Sequence, residues 1–189
     1  MNVDTPPPLP AEQARAVRLV VFDVDGVLTD AGVYIGAPMS GEPVELKRFD
    51  IQDGLGMKLL QEAGLEVVMV SGRVSRATDI RARELGIECH QDPGAQKLPL
   101  VRGIIERLGI DWDAVAMLAD DLPDMAVFEK VGLRAAVANA VPAVARAAHW
   151  RSTARGGHGA VREFCDALLE ARGQLADVTE AYVAARRDA

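Results

Sequence analysis

The stretch "RLVVFDVDGVLTDAG" (residues 18–32) places two carboxylates directly after an apolar run of strand length. The run stops at Asp23, and Asp25 follows two positions later. In open parallel sheets, ligands bind beyond the carboxyl ends of the strands. Gly26 lets the backbone turn sharply at this point, so both aspartates can face the same cleft.

Apolar runs of strand length alternate with helical patterns along most of the chain. The runs cover residues 17–22, 65–70, 87–90, 114–119 and 133–138. The helical patterns cover residues 54–64, 75–86, 97–109, 121–132 and 141–149. This alternation predicts an α/β fold of βαβ units with a mostly parallel sheet between two helix layers. Aromatic residues make up only 4% of the chain, which agrees with a core of Val, Leu, Ile and Ala.

One segment interrupts the alternation directly after the first strand. Residues 32–50, "GVYIGAPMSGEPVELKRFD", have two alternating β-rich arms around a centre of Gly, Pro and Ser. The pattern predicts a β-hairpin flap, and a long irregular loop is the alternative. Because two strands alone are only marginally stable, we expect the flap to lean on another surface, such as a second subunit.

The flanks define the expected organisation of the chain. We predict a flexible Pro-rich arm over residues 1–16, one domain over residues 17–175 and a helical tail over residues 176–189. The start of the chain lacks the apolar segment of a signal peptide. The longest apolar runs are too short to span a membrane. We therefore expect a cytoplasmic protein, in which Cys89 and Cys165 are reduced thiols.

The charge balance narrows the possible partners. The net charge is −7, from 21 Lys and Arg against 28 Asp and Glu. This balance argues against a non-specific nucleic-acid binder and against binding to an anionic membrane surface. It is compatible with a divalent cation.

Polar residues follow each of the first four predicted strands. They are Asp23 and Asp25, then Ser71, Gly72 and Arg73, then Lys97, and finally Asp120, Asp121 and Asp124. Each group alone has an ordinary explanation, such as a solvated turn, a surface lysine or acids at a helix N-terminus. Their joint occurrence at successive strand ends is what those explanations do not predict, and it indicates one functional site.

The residue types in this set suit phosphate chemistry. Asp23 and Asp120 are hard oxygen ligands of the kind that Mg²⁺ prefers, often together with a substrate phosphate. Ser71 and Lys97 can bind phosphate oxygens. Asp23 can attack phosphorus to form an aspartyl-phosphate, and Asp25 can protonate the leaving oxygen and then deprotonate water.

These residues resemble the motifs of the haloacid dehalogenase-like phosphohydrolase superfamily. "DVDGVLTD" looks like the first motif, "VSGR" like the second, Lys97 like the third and "ADDLPD" like the fourth. Longer stretches resemble the subgroup of 3-deoxy-D-manno-octulosonate 8-phosphate (KDO-8-phosphate) phosphatases. They include "GEPVELKRFDIQDGLGMKLL", "GLEVVMVSGRVS", "RARELGI" and "ARGGHGAVREFCDALLEARGQL". The resemblance covers roughly residues 17–175.

The resemblance implies a role for each matched residue. Asp23 would be the nucleophile, and Asp25 the general acid and base. Mg²⁺ would be held by the carboxylates of Asp23 and Asp120 and by the backbone carbonyl of Asp25. Substrate contacts would come from Asp25, Asp53, Gly54, Lys58, Ser71, Gly72, Arg73, Arg81 and Lys97, with Asp121 and Asp124 in support.

The resemblance also implies how the chain assembles and what it binds. The subgroup lacks a large cap domain and forms homotetramers. Flaps or tails of neighbouring subunits cover the active sites, which would account for the hairpin and for the "GGHG" segment. The expected substrate is a small phosphorylated sugar acid, and the product is a precursor of lipopolysaccharide.

Three positions depart from the family pattern. Ala119 replaces a Gly before the paired aspartates, His158 replaces an Arg in the tail motif, and the flap tip "GAPMSGEP" is longer than usual. The last two bear on substrate identity, so a nine-carbon sugar-acid 9-phosphate or another small phosphorylated metabolite is an alternative.

Two further alternatives concern the function itself. A phosphoacceptor receiver module also collects acids, a hydroxyl and a lysine at the ends of parallel strands. Its acceptor Asp, however, ends the third strand, where this chain offers only Asp92. A non-catalytic tetramerisation module is the other alternative, although the chain keeps every catalytic position.

Overall fold

A six-stranded sheet lies at the centre of the computed structural model, which describes residues 6–187. The described strands are β1 (Leu19–Asp23), β2 (Tyr34–Gly36), β3 (Val44–Leu46), β4 (Glu66–Ser71), β5 (Glu88–Gln91), β6 (Val115–Ala119), β7 (Leu133–Ala136) and β8 (Trp150–Arg151). The sheet has the order β5-β4-β1-β6-β7-β8, and neighbouring strands pair in parallel. The predicted α/β fold with a parallel sheet is confirmed.

Strand β1 is the central strand and explains the apolar run that precedes Asp23. It pairs with β4 on one side and with β6 on the other. Leu19 and Val21 face one hydrophobic layer, and Val20 and Phe22 face the other. A strand that is buried on both faces needs apolar residues at every position, because its side chains alternate between the two faces.

Helices cover both faces of the sheet. They are α1 (Ala11–Ala16), α2 (Ile51–Glu62), α3 (Arg76–Leu85), α4 (Lys97–Leu108), α5 (Met125–Phe128), α6 (Pro142–Ala147), α7 (Ala160–Ala171) and α8 (Leu175–Arg187). Helices α2 and α7 pack on one face, and α4, α5 and α6 supply the hydrophobic layer on the other. No helix within residues 6–187 is long and apolar enough to cross a membrane.

The segment between β1 and α2 forms the predicted hairpin. Strands β2 and β3 pair antiparallel, with Tyr34 opposite Leu46 and Gly36 opposite Val44. We call residues 33–47 the flap. Its apolar side chains are largely exposed, and the exposed fraction is 69% at Ile35 and 62% at Leu46.

The N-terminal segment packs on the domain from residue 6 onward, whereas residues 1–5 lie outside the described part of the chain. Leu9 and Ala14 are buried, and Trp150 Nε1 donates to the carbonyl of Pro7 at 2.7 Å. Residues 6–16 of the predicted flexible arm therefore include a helix with buried contacts.

Two elements differ from the sequence prediction. The edge strand β8 was not predicted, because two residues carry no recognisable strand pattern. The helix expected over residues 121–132 is a short turn at Leu122–Asp124 followed by the four-residue α5. The carboxylate of Asp121 caps this turn by accepting from the backbone N–H of Leu122 at 2.7 Å.

Candidate active site

Three aspartates meet at the carboxyl ends of β1 and β6. Asp23 ends β1, Asp120 follows β6, and Asp124 lies in the turn after it. One carboxylate oxygen from each lies within 4.8 Å of the other two. Because β1 and β6 are parallel neighbours, their ends present these acids at the same edge of the sheet.

Lys97 is the cation of this group. As the first residue of α4, it directs its ammonium group to the carboxylates of Asp23 and Asp124. Its side chain is only 4% exposed. A buried ammonium group is stable only when it is paired, so these ion pairs fix its position between β1 and the β6 loop.

The crowded carboxylates have raised pKa values. Burial and the nearby Asp124 raise the pKa of Asp23 well above its ordinary range. Burial and Asp124 likewise raise the pKa of Asp120 to about 7. Burial opposes the charge of Lys97, but Asp23 and Asp124 outweigh it and raise the pKa of its ammonium group. Lys97 is therefore cationic at neutral pH.

This group of side chains fits a hard divalent cation. Three carboxylates against one ammonium group leave two negative charges when all of them are ionised. The Oδ1 atom of Asp120 is buried without a hydrogen-bond partner. Buried polar atoms are rarely left unpaired, and oxygen ligands suit Mg²⁺.

Asp25 lies in a tight turn next to this cluster. Gly26 has a φ of 108°, which favours glycine. A Cβ at this position would also overlap the carboxylate of Asp120. The Oγ atom of Ser71, at the end of β4, donates to Asp25 Oδ2 at 3.1 Å. Ser71 thus links the ends of β1 and β4.

A cavity of about 330 Å³ opens onto these groups. Its lining contains nearly all of the predicted catalytic and metal-binding side chains. It consists of Asp23, Asp25, Gly72, Arg73, Ala95, Lys97, Asp120, Asp121, Pro123 and Asp124. Carboxylates that could attack or ligate, a buried ammonium group and a hydroxyl in contact with Asp25 are the components needed for phosphoryl transfer.

Comparisons with known proteins identify the family. A sequence model of the family described as haloacid dehalogenase-like hydrolase matches residues 91–163. The chain is 40% identical over 163 residues to the 3-deoxy-D-manno-octulosonate 8-phosphate phosphatase KdsC of Escherichia coli K12. The match covers 86% of this chain and 85% of that protein. The chain belongs to the KDO-8-phosphate phosphatase family. It is a phosphoric monoester hydrolase.

Solved structures of KDO-8-phosphate phosphatases share the fold over most of the chain. The enzyme from Yersinia pestis superposes with a TM-score of 0.81 at 38% identity and covers 87% of both chains. The enzyme from Moraxella catarrhalis, in complex with magnesium, phosphate and KDO, superposes with a TM-score of 0.82 at 32% identity. That match covers 93% of this chain and 96% of the other.

Five residues that the family resemblance assigns to substrate do not line the 330 Å³ cavity: Asp53, Gly54, Lys58, Ser71 and Arg81. Asp53 is buried and accepts from the backbone N–H of Arg162, in the first turn of α7, at 2.8 Å. Gly54 allows α2 to approach Arg81 of α3 closely. Lys58 lies near Gly86, after α3.

Arg81 lines a second, larger cavity of about 720 Å³ between the flap and α3. Its guanidinium group lies 6.0 Å from the ring centroid of Phe49 and donates to the carbonyl of Asp50 at 3.3 Å. Lys47 also lines this cavity, and its Nζ atom lies 2.6 Å from Asp25 Oδ1. Lys47 therefore stands between the two cavities.

The "GGHG" segment packs against the catalytic turn of its own chain. Gly156 and Gly157 are buried against the turn that carries Asp25 and Gly26, and Gly157 donates to the carbonyl of Val27 at 3.0 Å. The expectation that this segment covers a neighbour's active site stays a prediction. Its glycines allow two stretches of backbone to lie in direct contact.

Sequence reasoning missed Asn139 as well as Lys47. The Asn139 side chain donates to the carbonyl of Gly26 at 3.2 Å and accepts from the backbone N–H of Gly156 at 2.7 Å. It thus joins the catalytic turn to the Gly-rich segment. The position of Asn139 after β7, at the same edge of the sheet as Asp23, was the available signal.

Proposed function

We propose that the chain is a Mg²⁺-dependent phosphomonoesterase that hydrolyses KDO-8-phosphate to the free sugar acid and inorganic phosphate. The observation that carries the proposal is the convergence of Asp23, Asp25, Lys97 and Asp120 on one cavity. The identity of 40% to KDO-8-phosphate phosphatases supports the choice of substrate.

The cofactor would be bound by the acidic cluster. Asp23 and Asp120 would supply carboxylate oxygens to Mg²⁺, together with the backbone carbonyl of Asp25. The proximity of Asp124 to both carboxylates makes it a further candidate ligand. The Moraxella catarrhalis relative holds magnesium and phosphate, which supports this assignment. The ion would withdraw negative charge from the transferring phosphoryl group.

The reaction proceeds in two halves on this chain's own residues. An oxygen of Asp23 attacks phosphorus and the bond from phosphorus to the sugar oxygen breaks, while Asp25 gives its proton to that leaving oxygen. Water then attacks the aspartyl-phosphate and passes a proton to Asp25. This second half releases inorganic phosphate and regenerates Asp23.

The two cavities suit the two ends of the substrate. Ser71 and Lys97 would bind the phosphoryl group in the 330 Å³ cavity, where the positive charge of Lys97 offsets repulsion between Asp23 and phosphate. Arg73 lies at its opening with a side chain that is 47% exposed. The sugar acid would extend toward the 720 Å³ cavity, where Arg81 is suited to a carboxylate.

The proposed active form is a homotetramer assembled through the flaps. Val33, Ile35, Val44 and Leu46 expose at least half of their surface, and they lie in or directly next to the two short flap strands. Contiguous exposed apolar surface of this kind usually marks an interface. The tail helix α8 is the other candidate for subunit contacts.

A panel of phosphorylated sugars with Mg²⁺ tests the substrate. We expect kcat/KM for KDO-8-phosphate to exceed that for nine-carbon keto-acid 9-phosphates and for neutral sugar phosphates. A flat profile would leave a general metabolite phosphatase. His158→Arg is the companion variant, because the family pattern has Arg at this position. If that variant prefers the eight-carbon acid more strongly than the wild type does, the result would favour the nine-carbon alternative for the wild type.

A further inference from the structure

We propose that Lys47 is a positioning residue for the general acid and base Asp25, so that the flap takes part directly in the reaction. The proposal rests on the proposed function, because it requires the assigned role of Asp25. Lys47 would be a further residue that takes part in the reaction, and it lies on the flap instead of at one of the four strand ends.

The alternation of the flap strand brings two charged side chains to the active site. Val44 and Leu46 of β3 are 50% and 62% exposed. Glu45, which lies between these two residues in sequence, contacts Arg73. Lys47, which follows Leu46, contacts Asp25. Successive side chains of a strand point to opposite faces, so the outer face of β3 is apolar and the inner face is charged.

The side chain of Lys47 is buried although the flap around it is exposed. Its side chain is 2% exposed, and its Nζ atom lies 2.6 Å from Asp25 Oδ1. Burial of an ammonium group is unfavourable unless a strong partner compensates for the lost hydration. Within residues 6–187, Asp25 is the carboxylate with which Lys47 forms an ion pair.

The contact fixes the direction in which the Asp25 carboxylate points. Lys47 holds Oδ1, and Ser71 Oγ donates to Oδ2 at 3.1 Å, so the group is held from the flap and from β4. Asp25 itself lies in an irregular turn, with φ −85° and ψ 95°, that gives no helical or strand support. Each carboxylate oxygen has two lone pairs, so both oxygens can still exchange a proton with the reacting groups.

A second ion pair secures the flap beside the first. Arg73 donates to Glu45 Oε1 at 2.9 Å and also lies 3.7 Å from Asp25 Oδ1. This pair docks the same strand without depending on Lys47. Glu45 therefore provides a control that loosens the flap but leaves the contact between Lys47 and Asp25 intact.

The test compares two aryl phosphates that differ in their need for a general acid. Phenyl phosphate has a poor leaving group, whereas 4-nitrophenolate leaves without protonation. The two are similar in size and lack a carboxylate, so differences in recognition cancel in their ratio. The value of kcat/KM covers the steps up to cleavage of the ester bond, in which Asp25 acts as the acid.

We expect Lys47→Met to lower kcat/KM for phenyl phosphate by about 10- to 100-fold, which is less than the roughly 10²- to 10⁴-fold contribution of general acid catalysis because Lys47 only positions the acid. The same variant should change kcat/KM for 4-nitrophenyl phosphate by less than about threefold. Lys47→Arg, which keeps the charge and donors, should recover part of the loss. Glu45→Gln should change kcat/KM for both substrates by the same factor. Lys47→Gln replaces Lys47→Met if melting curves show that the Met variant is unfolded.

Asp25→Asn separates failure of this proposal from failure of the proposed function. Asp25→Asn should show the same selective loss for phenyl phosphate. Suppose that it does, and that the Lys47 variants lose kcat/KM equally for both substrates or for neither. Lys47 then only anchors the flap, and the proposal is overturned. If Asp25→Asn itself shows no dependence on the leaving group, the acid role in the proposed function fails, and the role of Lys47 fails with it.

Discussion

At the scale of single residues, the repulsion among Asp23, Asp120 and Asp124 is the central feature of the site. Three carboxylate oxygens within 4.8 Å of one another are unfavourable unless protons or cations neutralise them. Lys97 supplies one positive charge. Of the two negative charges that remain, a proton takes up one, as the raised pKa of Asp120 indicates, whereas a bound Mg²⁺ would balance both.

The affinity for Mg²⁺ should therefore depend on pH. Asp120 has a pKa of about 7 without metal, so below that pH a proton competes with the ion for its carboxylate. We expect the association constant to rise by about tenfold per pH unit between pH 5.5 and 6.5 and to flatten above pH 7. Isothermal titration calorimetry in buffers of different ionisation enthalpy would also detect the released proton. Equal affinity at pH 5.5 and 7.5 would contradict the assignment.

Asp53 is an example of a buried carboxylate with a structural role. Burial raises its pKa from 3.8 to about 6. Between pH 4 and pH 6 the folded protein thus holds a proton that the unfolded chain has lost, so this group's contribution to stability falls as pH rises. The full difference is at most about 3 kcal/mol.

Asp53→Asn tests that contribution, because the amide keeps an acceptor for the Arg162 N–H and cannot ionise. We expect the melting temperature of the variant, relative to the wild type, to increase from pH 4 to pH 6.5. A difference that is constant with pH would contradict the pKa. A large rise in KM for KDO-8-phosphate would instead favour the substrate contact that the family resemblance implies.

Sequence reasoning could bring Asp23, Asp25, Ser71, Lys97 and Asp120 together because strand ends of a parallel sheet share one edge. It could not find Lys47. That residue lies 22 positions from Asp25, and the contact depends on the way the flap folds back over the site. The charge pattern of "VELKR" is equally compatible with a solvated strand, so no local signal separates the two possibilities.

At the scale of elements, the catalytic turn is supported by backbone contact with the Gly-rich segment. A Cβ at Gly156 would overlap the carbonyl of Gly26, and Asn139 bridges the same two residues. This contact explains why the segment is rich in glycine. The family resemblance implies that the tail covers a neighbouring site, and glycine permits both flexibility and close packing.

Replacement of Gly156 by Ala should damage both stability and activity. Overpacking a rigid contact costs roughly 1–3 kcal/mol, and here it would displace the turn that carries Asp25. Gly103→Ala is the matched control, because Gly103 lies in α4 with open space around it. That variant should gain about 0.5–1 kcal/mol and keep full activity. Urea unfolding and kcat measure both effects, and equal behaviour of the two variants would refute the packing argument.

The major elements were predictable and the minor ones were not. The strands β1, β4, β6 and β7 match apolar runs, since strands buried on both faces need continuous hydrophobic sequence. The edge strand β5 overlaps the run predicted over residues 87–90 but is only partly buried. Strand β8 is defined by pairing with β7 rather than by composition. Residues 122–128 form a turn and a single helical turn, and tertiary contacts set that length.

At the scale of the whole molecule, the flap has a charged face and an apolar face. Its charged side chains Glu45 and Lys47 contact active-site residues, and its apolar side chains are largely exposed. The fold thus leaves apolar surface on an element that is too small to be stable alone. Assembly into a tetramer would cover that surface and hold the flap over the site.

Ile35→Glu should therefore disrupt assembly. Ile35 lies in β2 and is 69% exposed, so the change is tolerated by an isolated chain but not within an apolar interface. Arg102→Glu on α4 is the control, because Arg102 is exposed and lies outside both the flap and the tail helix. Light scattering should report a smaller assembly for Ile35→Glu only. An unchanged mass for both variants would show that the flap does not assemble the protein.

The central claim is that Asp23 carries the phosphoryl group during hydrolysis of KDO-8-phosphate. The direct test is phosphate release from KDO-8-phosphate with saturating Mg²⁺, measured for the wild type and for Asp23→Asn. We predict that the wild type turns over and that the variant, folded and with unchanged mass, loses at least about 10³-fold in kcat. A variant that retained more than about a tenth of the wild-type rate would contradict the claim.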